Sequence, residues 1–205
     1  MKRSNKGIAV VATILALFAT VHCAAADTYE EETETLDRVE RITPAVSVNE
    51  TPVVEESKIY LFDVPLDLDL QLHIIEVCSD YYIEPAVIMA MIERESSFRV
   101  KVVGDNGDAV GLMQIQGKWH RERMDKLGVT DLSDPYQNVR VGIDYLAELC
   151  REYECIGMAL VAYNYGPSGA EKNLFSKGIY ETKYSRTILE RTEYYLEGMS
   201  EYVCA

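Results

Sequence analysis

From Asp67 onward, apolar residues recur at helical spacing. Leu70, Ile74, Ile75, Cys78 and Tyr82 share one face behind Asp67, a residue type that caps helix N-termini. The alternation Val64, Leu66, Leu68, Leu70, Leu72 also suits a strand, so the start of this helix stays open between two readings. Pro85 suits a first helical position, and Val87, Ile88, Met91, Ile92 and Glu95 recur on one face behind it. Asp134-Pro135 predicts the start of a longer helix, with Val139, Ile143, Leu146, Cys150 and Tyr153 as its inward stripe. Ile156 to Asn164 predicts a short apolar helix ended by Gly166-Pro167. Ser168 is a cap candidate for a further short helix, and Glu181 to Met199 predicts a closing one. Gly104 to Gly111, with Asn106-Gly107, predicts a loop. No pair of strands is predicted after residue 66, and no internal repeat is visible. The expected fold class is mainly α, in one domain over 58–205.

Upstream the pattern changes twice. Lys2, Arg3 and Lys6 precede an apolar run from Gly7 to Phe18 and the small residues Cys23-Ala24-Ala25-Ala26. This basic, apolar, small-residue order predicts a secretory signal peptide over 1–26, cleaved after Ala26. An uncleaved membrane anchor is the alternative, although the run falls short of the ~20 apolar residues that a bilayer span needs. A lipid anchor through Cys23 is the weaker reading, because Thr20-Val21-His22 is a poor lipidation box. Residues 27–57 carry ten acidic residues against two arginines, with Thr-Pro pairs and no apolar period. Such a segment buries too little apolar surface to offset its ordering entropy, which predicts a disordered acidic linker. Every reading of the N-terminus places the domain outside the cytoplasm, at the cell wall or cell surface.

The whole chain has 205 residues, with Lys+Arg 20 against Asp+Glu 34 and a formal charge of −14. That balance argues against nucleic-acid binding, which needs clustered cations to neutralise phosphates. Loss of the signal leaves Cys78, Cys150, Cys155 and Cys204, which permit three complete disulfide pairings or an equally acceptable set of buried thiols. Zinc-ligand spacing is missing, since only His73 and His120 could assist the cysteines. With no phosphate-cradling glycine loop either, no cofactor and no metal are expected.

Glu95 is the most informative residue. It lies eight positions after Val87 and four after Met91, so it belongs to the apolar face of its helix. A carboxyl held against apolar side chains resists ionisation, and its pKa rises toward what a general acid needs near neutrality. Glu93, about 200° away at ~100° per residue, cannot share that pocket and reads as surface. The alternative for Glu95 is a helix-end carboxylate paired with Arg94 or Arg99.

Four short motifs occur in order: Glu95-Ser96-Ser97-Phe98, Gly111-Leu112-Met113-Gln114-Ile115, Ala162-Tyr163-Asn164-Tyr165-Gly166 and Glu181-Thr182-Lys183-Tyr184. Together they resemble the lytic transglycosylase domain related to goose-type lysozyme, over about residues 67 to 189. The resemblance implies a lysozyme-like helical fold with a glycan groove and a peptidoglycan substrate. Glu95 matches the family's catalytic acid. Ser97 would support the site, while Gly111, Leu112, Met113 and Gln114 would line the groove through close backbone approach, soft apolar surface and amide hydrogen bonds. Tyr163 and Asn164 match an aromatic–amide pair near the acid, and Tyr184 a tyrosine that hydrogen-bonds around it. The chain departs from the family at Ala109, where a small polar residue is common, and at Gly117, where Pro is common. Trp119 is either a glycan-stacking or an ordinary packing residue, and His120 is read as structural.

The number of carboxyls decides the reaction. Ordinary glycosidases use two, ~5–9.5 Å apart. The family design uses one, which protonates the glycosidic oxygen and then deprotonates the sugar's own 6-hydroxyl to leave a 1,6-anhydro end. Asp105 and Asp108 are candidates for a second carboxyl, but beside Asn106-Gly107 they read as turn formers. The expected function is therefore an exported lytic transglycosylase cleaving the MurNAc–GlcNAc bond. A water-using muramidase and a non-catalytic glycan-binding module of a wall-spanning assembly are the alternatives. Wall remodelling, opening the wall for a secretion or DNA-transfer apparatus, and phage-type lysis all call on this chemistry.

Overall fold

The structure, a computed structural model, describes residues 58–203. The expected signal peptide, the acidic linker and Cys204 lie outside the described residues. Seven helices carry the domain: α1 (Leu68–Tyr81), α2 (Pro85–Ser96), α3 (Arg121–Leu127), α4 (Pro135–Tyr153), α5 (Ile156–Tyr165), α6 (Pro167–Asn173) and α7 (Lys183–Gly198). The expectation of a mainly α fold is met. Among the described residues no helix is long and apolar enough to cross a membrane.

Local chemistry sets the helix starts. The Asp67 carboxylate accepts from the Leu70 N–H at 2.8 Å, satisfying an amide that the first turn leaves unpaired. That cap decides for helix over strand at Leu68. Asp134 does the same for Gln137 at 3.0 Å, with Pro135 behind it. Thr182 and Ser185 form a reciprocal capping box at the start of α7. Ser168 is not a cap. Pro167 opens α6 and the preceding residue is Gly166, whose φ of 71° and ψ of 147° favour glycine.

The sequence pattern missed two sheets and one helix. Strand β1 (Lys58–Leu61) pairs antiparallel with β5 (Ser200–Val203), joining the two ends of the domain. Three two-residue strands, β2 (Val103–Gly104), β3 (Ala109–Val110) and β4 (Ile115–Gln116), form a small antiparallel sheet inside the segment read as a loop. Two residues are too few to show an alternating period. Helix α3 follows Trp119 in a charged stretch whose seven residues include none that is fully buried.

Helix α4 packs against α1 and α5, and α2 packs against α7. The core between them holds Ile74, Ile88, Met91, Leu112, Ile143 and Leu160. Cys78, Cys150 and Cys155 are free thiols, so among the described residues the thiol reading holds. Burial pushes the Cys150 thiol up to about 11, and Cys78 higher still.

Gly142, in the middle of α4, makes room for Met113. A Cβ there would overlap the Met113 sulfur and come within 3.0 Å of its Cβ. Alanine should gain up to about 1 kcal/mol in helix propensity over glycine. Overpacking a filled core costs about 1–3 kcal/mol, and Met113 is fully buried with nowhere to retreat. Gly142→Ala is therefore expected to lower the midpoint of chemical denaturation, and an unchanged or higher midpoint would show that Met113 can move.

Candidate active site

Glu95 stands in the last turn of α2, half-buried. The buried Tyr184, in the first turn of α7, donates a short hydrogen bond to Glu95 Oε1 across the helix pair. Burial, then the Glu95 charge, pushes the Tyr184 hydroxyl well above its ordinary range, so it remains a donor at physiological pH. Arg94 lies 5.9 Å from the centre of the Tyr184 ring, and Arg99 Nε donates to the Ser96 carbonyl at 2.9 Å.

Tyr163, on α5, donates its hydroxyl to the Met113 carbonyl at 3.0 Å. Its hydroxyl is also pushed well up, by burial first and then by the Glu95 charge and Tyr145. The charge of Glu95 thus reaches both tyrosines. Asn164, the next residue on α5, is exposed.

Ser97 takes a different place from the one expected. It caps α2 in the left-handed region at φ 50°, followed by Phe98 at φ 59°, and it is exposed. It lines an outer groove with Ala90, Glu93, Arg94, Thr187 and Arg191. Ser96 is the buried serine, donating to the Ile92 carbonyl at 2.9 Å. Residues 111–114 also work differently. Leu112 and Met113 are core residues, so their side chains offer no surface to a ligand. The Gln114 amide donates to the carbonyls of Gly111 at 2.9 Å and Val102 at 3.3 Å, tying the small sheet together from a left-handed backbone. Gly111, at φ 76°, makes room within the chain: a Cβ would strike the Asn138 amide and come 3.0 Å from the Leu132 carbonyl.

Asn138 escaped the sequence reading. Fully buried on α4, it accepts from the Met113 N–H at 2.9 Å and donates to the carbonyls of Val110 at 2.8 Å and Leu132 at 3.0 Å. Its signal was a polar residue four positions before Gly142, a non-apolar pair on the buried side of an apolar helix. Glu93 is likewise more than surface. Arg191 grips it with two bonds, 2.7 and 3.1 Å, and the Tyr195 hydroxyl donates to it at 2.8 Å, clamping α2 to α7.

Of the second-carboxyl candidates, Asp108 is exposed and ion-paired with Lys118. The Asp105 side chain lies outside the described residues. His120 packs its ring edge against Tyr145 at 4.5 Å between centroids, and Tyr145 lies 5.1 Å from Tyr163. Arg123 bonds both Asp144 and Glu148 beneath Tyr145, and the Tyr81 hydroxyl donates to Asp144 at 2.8 Å.

The sequence profile of the transglycosylase SLT domain matches residues 73–185, a span that contains both Glu95 and Tyr184. The chain belongs to that family. Among curated relatives, it is 31% identical to "Invasion protein IagB" of Salmonella typhimurium over 126 residues, covering 58% of this chain and 74% of that one. It is 32% identical to the "Transglycosylase" of Enterobacteria phage PRD1, over 45% of this chain and 33% of that protein. The lytic transglycosylase Slt of Pseudomonas aeruginosa, solved as an inactive mutant, superposes with a TM-score of 0.52 at 22% identity. It covers 62% of this chain, which spans only 24% of that larger protein. A soluble lytic transglycosylase bound to bulgecin A gives 0.50 at 22% identity, with 64% and 24% coverage. The fold of this SLT domain is thus that of the lysozyme-like lytic transglycosylases.

Burial, then the Arg123 charge, pulls His120 down from 6.5 to about 4. The folded protein therefore keeps this imidazole neutral in a range where the unfolded chain protonates it. Stability is fully present above 6.5 and is lost as pH falls from 6.5 toward 4. His120→Phe keeps a ring against Tyr145 and removes the titration. Its Tm is expected to fall less than wild type across that window, and an equal fall would mean that His120 titrates normally.

Proposed function

We propose that this chain is an exported peptidoglycan lytic transglycosylase in which Glu95 serves as acid and then as base. The observation that carries this reading is the hydrogen bond from the buried Tyr184 hydroxyl to the Glu95 carboxylate, inside the span matched to the SLT family. Export rests on the basic, apolar, small-residue order of residues 1–26.

The chemistry needs no second carboxyl. Glu95 gives its proton to the glycosidic oxygen between MurNAc and GlcNAc, and the C1–O bond breaks with the substrate's acetamido group assisting. The resulting carboxylate accepts the proton of the MurNAc 6-hydroxyl as that oxygen bonds to C1. Glu95 is then protonated again, and no water is consumed. A tethered nucleophile carries an entropic advantage worth about 7–11 kcal/mol in good geometry. Tyr184 fixes one carboxylate oxygen through both steps, and Tyr163 walls the site from α5. The pairing of Asp108 with Lys118 weighs against the muramidase reading, since a base that activates water must face the sugar.

Glu95→Gln should lower the rate of wall lysis by about 10²–10⁴-fold while the protein stays folded. Near-wild-type lysis would remove Glu95 from the chemistry. Tyr184→Phe keeps the ring but loses one hydrogen bond to a charged group, worth about 1.5–3 kcal/mol, and turnover should drop by roughly tenfold or more. An unchanged rate would make Tyr184 a packing residue. Mass analysis of digested peptidoglycan should find muramic acid ends lighter by one water and without a reducing end. Reducing ends alone would replace the transglycosylase with a muramidase.

A further inference from the structure

Trp119 is the sole tryptophan of the chain and lies 76% exposed. It sits on the short turn Gly117–Trp119 that follows β4, immediately before His120. An aromatic row runs from the site to the sequence neighbour of Trp119: the Tyr163 hydroxyl feels the Glu95 charge, Tyr145 lies 5.1 Å from Tyr163, and His120 lies 4.5 Å from Tyr145. The indole is held in place, since its N–H donates to Gln116 Oε1 at 3.2 Å and Lys118 Nζ lies 5.7 Å from the ring centre. Gly117 lets the turn lie close to the chain, because a Cβ there would come 3.1 Å from Leu132 Cδ1.

A large ring left in water forgoes its burial energy, and a ring whose N–H is already pinned loses little freedom when a ligand covers it. We propose that the Trp119 indole, on the residue that precedes the last ring of that row in the chain, is a stacking platform for a sugar ring of the glycan strand. The apolar C–H face of an N-acetylhexosamine lies on the indole. The ion pair of Lys118 with Asp108, beside the ring, supplies donors and acceptors for the sugar's hydroxyls. Trp119 is thus a substrate-binding residue that acts on affinity and not on the chemical step. This assignment rests on the reading of the chain as a glycan-cleaving enzyme.

With a single tryptophan, emission under tryptophan-selective excitation, which leaves the tyrosines dark, reports on this position alone. The full chain carrying Glu95→Gln is titrated with a β-1,4-linked N-acetylglucosamine hexamer, by fluorescence and by calorimetry in parallel. Emission should change and saturate with the calorimetric isotherm. Trp119→Ala in that background should raise the half-saturating concentration about three- to tenfold, the range expected for one aromatic contact. Trp119→Tyr should restore most of the affinity, and Tyr82→Ala, which removes a ring 98% exposed at the far end of α1, should change nothing. In the active enzyme, Trp119→Ala should raise KM for soluble glycan and leave kcat within about twofold, as loss of uniform binding requires. Calorimetric binding with unchanged fluorescence, or equal affinity in Trp119→Ala, overturns the platform and leaves the enzyme reading standing. If no variant binds the hexamer or purified peptidoglycan by calorimetry, the glycan reading itself falls and takes this inference with it.

Discussion

The Asn138 side chain is fully buried, so its amide must find partners within the chain or forfeit its hydration. It finds three backbone groups: the Val110 carbonyl and Met113 N–H in one stretch, and the Leu132 carbonyl in the loop before α4. Each of those groups, left unpaired in the core, would cost about 1–3 kcal/mol. One helix residue therefore fixes a segment that has almost no regular structure of its own. The requirement also runs in reverse. Gly111 must be glycine for the amide to fit against the loop, and Gly142 must be small for Met113 to descend beside it.

Through Met113 this constraint reaches the acid. Its N–H is held from α4 by Asn138 and its carbonyl is held from α5 by Tyr163. The position of Tyr163 beside Glu95 is thereby tied to the loop's backbone. On the other side, α2 and α7 are fastened at two points seven residues apart along α7. Glu93 meets Arg191 and Tyr195 at one, and Glu95 meets Tyr184 at the other. An exposed ion pair contributes little, about 0–1 kcal/mol, but a bidentate, partly shielded one with a third donor sets orientation. Two carboxylates two residues apart on α2 thus both meet α7 but at different points: Glu93 clamps the helix pair through Arg191 and Tyr195, and Glu95 meets Tyr184.

What was legible in the sequence follows the range of the interactions involved. Asp67 and Asp134 announce their helices because a cap is satisfied within three residues, and Pro85 because its fixed φ and missing N–H suit a first helical position. The site face of Glu95 was legible because helical periodicity alone places it with Val87 and Met91. The motifs around residues 111–114 are recognisable by order, but order does not say how each side chain is used. A sequence lists side chains, whereas Leu112, Met113 and Gln114 act through burial, backbone and internal amide bonds. The three short strands pair with partners only five to seven residues away, but two residues each are too few to show a period, and two of the three bonds of Asn138 reach backbone 25 and 28 residues away.

The same distinction explains why departures from the family at Ala109 and Gly117 leave the arrangement intact. Ala109 is buried in β3, where its backbone pairs with Gln116 and its side chain only fills space. Gly117 opens the turn that carries Trp119, and its missing Cβ lets that turn approach Leu132, whose carbonyl Asn138 already holds. The inner part of the site is thus fixed by buried bonds that tolerate little change. The rim, held by one indole N–H and one surface ion pair, is built from contacts that can be exchanged at small cost. On the proposed function, chemistry belongs to the first part and substrate affinity to the second, so such a chain can keep Glu95 and its tyrosines while altering its rim.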